Sequence, residues 1–203
     1  MAGEHYFSAA PGGADRRRPL TVTLAGRERQ LSTAGGVFSP DRMDAGTAVL
    51  LATAPCPPPT GNLLDIGCGW GPIALTLALA APGATVWAVD VNTRALELTA
   101  GNAAAVGAAN LRAVTPEEVP DSIRFEAIWS NPPIRVGKPE LHRLLLSWLP
   151  RLTPGGNAWL VVQRNLGSDS LQRWLADTLP GGFGTDRAAL NRGYRVLRVH
   201  RSG

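Results

Sequence analysis

Leu63-Leu64-Asp65-Ile66-Gly67-Cys68-Gly69-Trp70-Gly71 decides the fold. Its first four residues read as a short buried strand, and residues 72–80 read as the helix that follows. Between them the glycines permit positive φ and let a ligand approach the backbone closely. A bare Gly-x-Gly is a weak signal, so the acids around it carry more. Asp65 precedes the first glycine by two positions, and Asp90 ends the next strand, residues 85–89. A carboxylate there can accept both hydroxyls of a ribose. The loop lacks the Gly-Lys-Ser/Thr ending that cradles a triphosphate.

The same alternation continues outward. Asn92 or Thr93 caps a helix with Leu96, Thr99, Ala103 and Val106 on one face. Residues 111–114 and 125–130 are the third and fourth strands. Pro139 opens a helix whose core stripe is Leu141, Leu144, Leu145, Trp148 and Leu149. Pro154-Gly155-Gly156 turns into a fifth strand at 158–162. Ser168 caps a helix carrying Leu171, Trp174 and Leu175, and residues 194–199 form a last strand. Repeated strand–helix units predict an α/β fold, a mainly parallel sheet with helices on both faces. Upstream, residues 20–33 read as a hairpin turning at Ala25-Gly26, followed by a helix over 46–53 and a stiff proline connector at 55–61. The chain is read as one domain, 1–203, with a flexible start (1–19), the hairpin segment (20–61) and the doubly wound core (62–203).

Asn131-Pro132-Pro133-Ile134 closes the fourth strand. Proline lacks an N–H and forces the chain out of the sheet there. The carboxyl ends of strands are where open α/β sheets place ligands. The Asn131 side chain and the Pro132 carbonyl can both accept hydrogen bonds from an amino group. That suits a site that grips a planar –NH2 and presents its nitrogen to an electrophile.

At 203 residues, 44% of them hydrophobic, the chain suits one domain with a full core. No apolar run is long enough for a membrane span, and the start lacks a signal-peptide stretch. Two cysteines, Cys56 and Cys68, imply no disulfide framework, so a cytoplasmic location is expected. The net charge is +4, and Lys138 is the only lysine among 20 basic residues. The arginine excess permits nucleic-acid binding, although a GC-rich genome produces the same bias. His5, His142 and His200 are too scattered for a metal site, so no metal is expected.

The Asp-x-Gly-x-Gly-x-Gly loop resembles the S-adenosylmethionine loop of class I methyltransferases. With Asn131-Pro132-Pro133-Ile134 added, the chain resembles the small-domain methyltransferase family, which contains the catalytic half of ribosomal RNA small subunit methyltransferase C and stand-alone relatives. His5-Tyr6-Phe7-Ser8, Gly36-Val37-Phe38-Ser39, Asp44-Ala45-Gly46-Thr47, Arg135-Val136-Gly137-Lys138 and Gly193-Tyr194-Arg195-Val196-Leu197 extend the likeness over nearly the whole chain.

The resemblance implies a Rossmann-like, seven-stranded fold, with residues 20–61 including a segment that closes over the cofactor. It also implies S-adenosylmethionine as donor and an exocyclic amine as acceptor, commonly guanine N2 in RNA. Gly67, Cys68, Gly69 and Gly71 then flank the methionine part, with Asp65 helping to orient it. Asp90 holds the ribose, Val91 covers the adenine and Thr47 touches the carboxylate end. The adenine contact after the third strand stays open between Thr115 and Glu117. Asn131, Pro132, Pro133 and Ile134 form the catalytic motif. Ile134 departs from the family, where an aromatic residue is usual. No counterpart of the longer ribosomal enzyme's extra N-terminal domain is expected.

Arg135 and Lys138 adjoin the motif and are expected to bind the phosphates of ribosomal RNA or a ribosomal subunit. His142 and Arg143 either join them or form a solvated helix face. Arg16-Arg17-Arg18 reads as a flexible charged segment. Trp70 could border the cofactor. Cys68 has no base partner and reads as packing rather than nucleophile. The alternatives to an RNA acceptor are a protein glutamine side-chain amide, adenine N6, a nicotinamide-dependent oxidoreductase and a non-catalytic RNA-binding module.

Overall fold

The computed structural model describes residues 16–203, so His5-Tyr6-Phe7-Ser8 lies outside the described residues. β1 (Arg18–Leu24) and β2 (Arg27–Thr33) pair antiparallel around Ala25-Gly26. Both turn residues have positive φ, 48° and 74°, the twist a two-residue hairpin favours. Leu20, Val22, Leu24 and Leu31 point inward from it. The hairpin begins at Arg18, so Arg18 and Pro19 are strand residues rather than part of a flexible start. Arg17 pairs with Glu97 at 2.8 Å and Arg18 with Asp41.

The remaining elements are α1 (Ala45–Thr53), β3 (Thr60–Ile66), α2 (Pro72–Ala80), β4 (Gly83–Val89), α3 (Thr93–Val106), β5 (Leu111–Val114) and β6 (Phe125–Ser130). They are followed by α4 (Lys138–Trp148), β7 (Leu152–Gln163), α5 (Ser168–Thr178), β8 (Phe183–Asn191) and β9 (Tyr194–Arg201). Seven strands form one sheet in the order β5-β4-β3-β6-β7-β9-β8, in which only β9 runs against the others. Strand order reverses at β3, which places a crevice at the carboxyl ends of β3, β4 and β6.

Successive side chains of one strand serve opposite faces of the sheet. Leu63 joins Leu24, Leu50, Leu75 and Leu98 under the hairpin, α1, α2 and α3. Leu64 and Ile66 join Leu145, Trp148, Leu171 and Leu175 under α4 and α5. Burial on both faces explains why β3 reads as a continuous apolar run rather than an alternating one.

Several local expectations change. The buried face of α3 is Ala95, Leu98, Thr99, Asn102 and Ala103, rotated from the expected stripe. Asn102 draws that face inward. Its Nδ2 donates to the Ser32 and Trp70 carbonyls, both at 2.9 Å, and its Oδ1 accepts from Ser32 N at 2.7 Å. A buried amide so satisfied ties the hairpin to the core. Ser168 does not cap α5. Gly167, in the left-handed region at φ 93°, takes that position, and Ser168 is buried inside the first turn. Pro154-Gly155-Gly156 lies within β7 as an irregularity against β6, where Phe125 faces Leu152 but Ala127 faces Asn157.

Candidate active site

A cleft of about 230 Å³ opens along the carboxyl ends of β3, β4, β6 and β7. Gly67 and Gly69 form its floor, Asp90 and Asn92 one wall, and Asn131, Pro132, Pro133, Ile134 and Arg135 the opposite wall. Val37, Phe38, Gln163, Leu166, Tyr194 and Asp44 complete its lining. A smaller recess beside it is lined by Thr47, Cys68, Trp70 and Asn131.

The floor is shaped by backbone chemistry. Gly67 and Gly69 have φ of 77° and 59°, and a Cβ at either would meet nothing within 4 Å. The loop therefore presents bare backbone to open space, the condition for a ligand's close approach. Gly67 N and Cys68 N donate to Val89 O at 2.8 and 3.0 Å, which locks the loop to the end of β4.

Asp90 receives Gly69 N on Oδ2 at 3.0 Å and Asn92 N on Oδ1 at 2.9 Å. Each carboxylate oxygen has a further acceptor direction, so the pair remains able to take two hydroxyls. Burial pushes the Asp90 carboxyl up, against those backbone hydrogen bonds.

Asp65 is wholly buried beneath the loop rather than lining the cleft. Its Oδ2 accepts from Ala74 N at 3.0 Å, while Oδ1 has no partner. Desolvation pushes its pKa up to about 8, opposed by the Ala74 hydrogen bond and reinforced by Asp90. Cys68 is buried, and burial with Asp90 and Asp65 nearby pushes its thiol well above the usual range. Its Sγ lies 3.5 Å from Thr99 Oγ1, a packing arrangement rather than an activated nucleophile.

The Asn131-Pro132-Pro133-Ile134 motif is held from the amino end of α1, through Asp44, a residue with no individual role in the expected site, and through Thr47, expected there only as a cofactor contact. Asp44 caps α1, its Oδ1 accepting from Gly46 N at 2.9 Å and Thr47 N at 3.1 Å. Asn131 Nδ2 donates to the same Asp44 oxygen at 2.7 Å and to Thr47 Oγ1 at 3.1 Å. The Thr47 hydroxyl is therefore engaged by Asn131. The Pro132 carbonyl accepts from Ile134 N at 2.8 Å and keeps a second lone pair.

Arg135 is exposed at the rim of the cleft. Lys138 opens α4, exposed and outside the lining, as Val91 is at 43% exposure. His142 stacks on Trp174 with ring centroids 3.5 Å apart, and Arg143 pairs with Glu140, so both sit on the helix face. Trp70 borders the recess with Nε1 donating to Ser39 O at 3.2 Å. Thr115 and Glu117 do not line the cleft. Asp44, Asn92, Gln163 and Tyr194 were not among the expected site residues. Of these, Asp44 had a legible signal, a carboxylate at a helix start three positions before Thr47. Among the described residues no cluster of His, Cys, Asp and Glu could hold a metal ion, and no helix is long and apolar enough to cross a membrane.

A glycine loop at the switch point, an acid ending the next strand and a seven-stranded sheet with one antiparallel strand define a class I, Rossmann-like methyltransferase. Comparison with known proteins narrows this. Residues 28–198 match the model of the methyltransferase small domain, and the chain belongs to that family, whose methyl donor is S-adenosylmethionine.

Protein YbxB of Bacillus subtilis is 33% identical over 170 residues, covering 82% of this chain and 85% of that protein. Ribosomal RNA small subunit methyltransferase C of Shewanella amazonensis is 33% identical over 197 residues, covering 92% of this chain and 53% of that one. The chain thus spans about half of that ribosomal relative. Among solved structures, the T. thermophilus 16S rRNA N2 G1207 methyltransferase in complex with AdoMet and guanosine superposes with a TM-score of 0.75 at 23% identity. That match covers 91% of this chain and 50% of that one.

Proposed function

We propose that this S-adenosylmethionine-dependent methyltransferase acts on an exocyclic amine, guanine N2 of ribosomal RNA. The observation that carries this reading is the orientation of Asn131, whose Nδ2 is taken up by Asp44 and Thr47. Oδ1 is then left to accept from a ligand. Together with the free lone pair of Pro132 O it offers two acceptors to the two N–H bonds of one –NH2 group. S-adenosylmethionine supplies an electrophilic methyl carbon on a sulfonium.

Across the cleft, Gly67 and Gly69 take the methionine part against bare backbone, Asp65 lies beneath them, and Asp90 takes the ribose hydroxyls. Val91 lies beside Asp90 toward the adenine. Holding both N–H bonds on Asn131 and Pro132 aims the nitrogen lone pair across the cleft, so positioning and electrostatics supply most of the acceleration. As the N–C bond forms, the methyl–sulfur bond would break and leave a neutral thioether. The methylated amine, now cationic and acidic, would then give its proton to water, so no general base is required before transfer.

The acceptor side of the mouth contains Ile134 and Tyr194 as apolar walls, with Arg135 at its rim. A flat base fits there only when unpaired or flipped from a helix. Tyr194 supplies the aromatic surface that Ile134 does not. Tyr194→Leu is expected to raise KM for RNA by at least about fivefold with little change in cofactor affinity, in line with ~1–3 kcal/mol per stacked base. An unchanged KM removes the base from that wall.

The named relatives and the net charge of +4 favour RNA over a protein glutamine amide. The test is incubation of the protein and labelled S-adenosylmethionine with separated ribosomal subunits, naked RNA and release factors. The label is expected on guanine N2 of small-subunit RNA. Label confined to a release-factor glutamine overturns the RNA assignment.

A further inference from the structure

Asp44 does more in this fold than cap a helix. One oxygen, Oδ1, accepts from Gly46 N, Thr47 N and Asn131 Nδ2, and Thr47 Oγ1 takes the second proton of that amide. An asparagine amide is nearly symmetric in shape, so packing alone cannot distinguish its two orientations. Charge can. Rotating the Asn131 amide by half a turn would set its carbonyl oxygen about where Nδ2 now is, 2.7 Å from a carboxylate oxygen. It would also place an amino group where the substrate's amine must arrive. Both consequences oppose methyl transfer.

We infer that Asp44 and Thr47 form a positioning pair that fixes the Asn131 amide with Oδ1 toward the acceptor pocket. This rests on the reading of Asn131 as the amine-binding residue. The device spans two parts of the chain: Asn131 stands at the end of β6, whereas Asp44 and Thr47 lie at the amino end of α1. Tyr194 packs against the same turn. A Cβ at Gly46 would come within 2.9 Å of Tyr194 Cε1, so the acceptor-side aromatic and the pair share one seat. Building the site therefore requires α1 docked on the core, and the segment before β3 contributes to chemistry as well as to closure.

Two measurements separate this inference from the function on which it rests. The first needs no substrate. Side-chain 15N–H2 signals of Asn131, assigned by their loss in Asn131→Ala, are expected to exchange with solvent at least tenfold faster in Asp44→Asn/Thr47→Val than in the parent protein. Asn at 44 keeps a neutral oxygen for the Gly46 and Thr47 N–H groups, so α1 stays capped, as helical circular dichroism checks, while the negative charge that selects the Asn131 amide orientation and the Thr47 acceptor are both removed. Unchanged exchange overturns the inference.

The second is a double-mutant cycle on single-turnover rate. Asp44→Asn is expected to lower the rate at least tenfold with KM within about twofold, and to lower it less than twofold in the Asn131→Ala background. Thr47→Ser retains activity where Thr47→Val loses it. An equal loss from Asp44→Asn in both backgrounds overturns the inference, since the residue would then act independently of Asn131. Full activity in Asn131→Ala instead overturns the functional reading of Asn131 and leaves the exchange result to judge the pair.

Discussion

Asn131→Ala is expected to lower methyl transfer by at least about 100-fold, which is ~2.7 kcal/mol of transition-state stabilisation. Cofactor affinity is expected to stay within about twofold. The separation follows from where the side chain is tied. Asn131 is held by Asp44 and Thr47, and it contributes no hydrogen bond to the Gly67–Gly69 loop or to Asp90.

Truncation also removes more than a contact. Asp44 Oδ1 keeps its two backbone donors, so α1 remains capped. On the proposed reading, the acceptor amine loses one of the two oxygens that would fix its lone pair. Orientation and the avoidance of solvent reorganisation can supply ~7–11 kcal/mol in a well-aligned pair, so partial loss of alignment covers the stated effect. Single-turnover transfer of a tritiated methyl group, beside equilibrium binding of the cofactor, checks both halves. Near-normal turnover would sink the assigned role. Asn131→Asp is expected to fare no better, because a carboxylate there meets Asp44 at hydrogen-bond distance and the two charges repel.

How far the sequence carries depends on which physical signal each part leaves. The core strands are legible because burial on both faces writes short apolar runs between glycine and proline breaks. Accordingly 125–130 coincides with β6. The apolar run 72–80 coincides with α2, and 111–114 with β5, an edge strand without a buried residue that is legible from Leu111, Ala113 and Val114 alone. β8 leaves no such trace. It is an edge strand, half-buried or exposed along its length, and Thr185, Asp186 and Arg187 show no period of two. Its existence follows only from its pairing with β9.

The site divides the same way. Gly67, Gly69, Asp90 and Asn131 announce themselves because glycine loops, strand-end acids and prolines after a strand are costly without a purpose. Tyr194 and Gln163 reach the cleft through the pairing of β7 with β9, a contact between residues far apart in sequence. The side-chain link from Asp44 to Asn131 is equally long-range, and a helix cap looks the same in sequence whether or not it holds a third donor.

Asp65→Asn is expected to stabilise the ligand-free protein above neutral pH and to remove the part of its pH dependence that Asp65 contributes. The Asp65 carboxyl lies deep under the glycine loop with one oxygen unpaired, and burial raises its pKa from 3.8 to about 8. The sign follows from proton counts. Below about pH 4 folded and unfolded chains both carry the proton, so Asp65 contributes no slope. Between about pH 4 and 8 the unfolded chain has lost it and the folded chain keeps it. Unfolding then releases a proton, and stability falls as pH rises by as much as ~1.4 kcal/mol per unit. Above about pH 8 both states are ionised and the loss is complete.

Asparagine preserves an oxygen for Ala74 N and never ionises. The difference in Tm between Asp65→Asn and the parent should therefore widen from pH 5 to pH 8, reaching several degrees at ~2–4 °C per kcal/mol for a chain of this size. A gap that stays constant with pH would show that Asp65 is already ionised in the folded protein. The same carboxyl sits below the place proposed for a cationic donor. A positive ligand there favours the ionised form, so S-adenosylmethionine should release a proton on binding near pH 7, and its affinity should rise toward pH 8. Titration calorimetry in buffers of different ionisation enthalpy reads that proton directly. It is expected in the parent protein and reduced in Asp65→Asn to whatever Asp90, also pushed up by burial, releases.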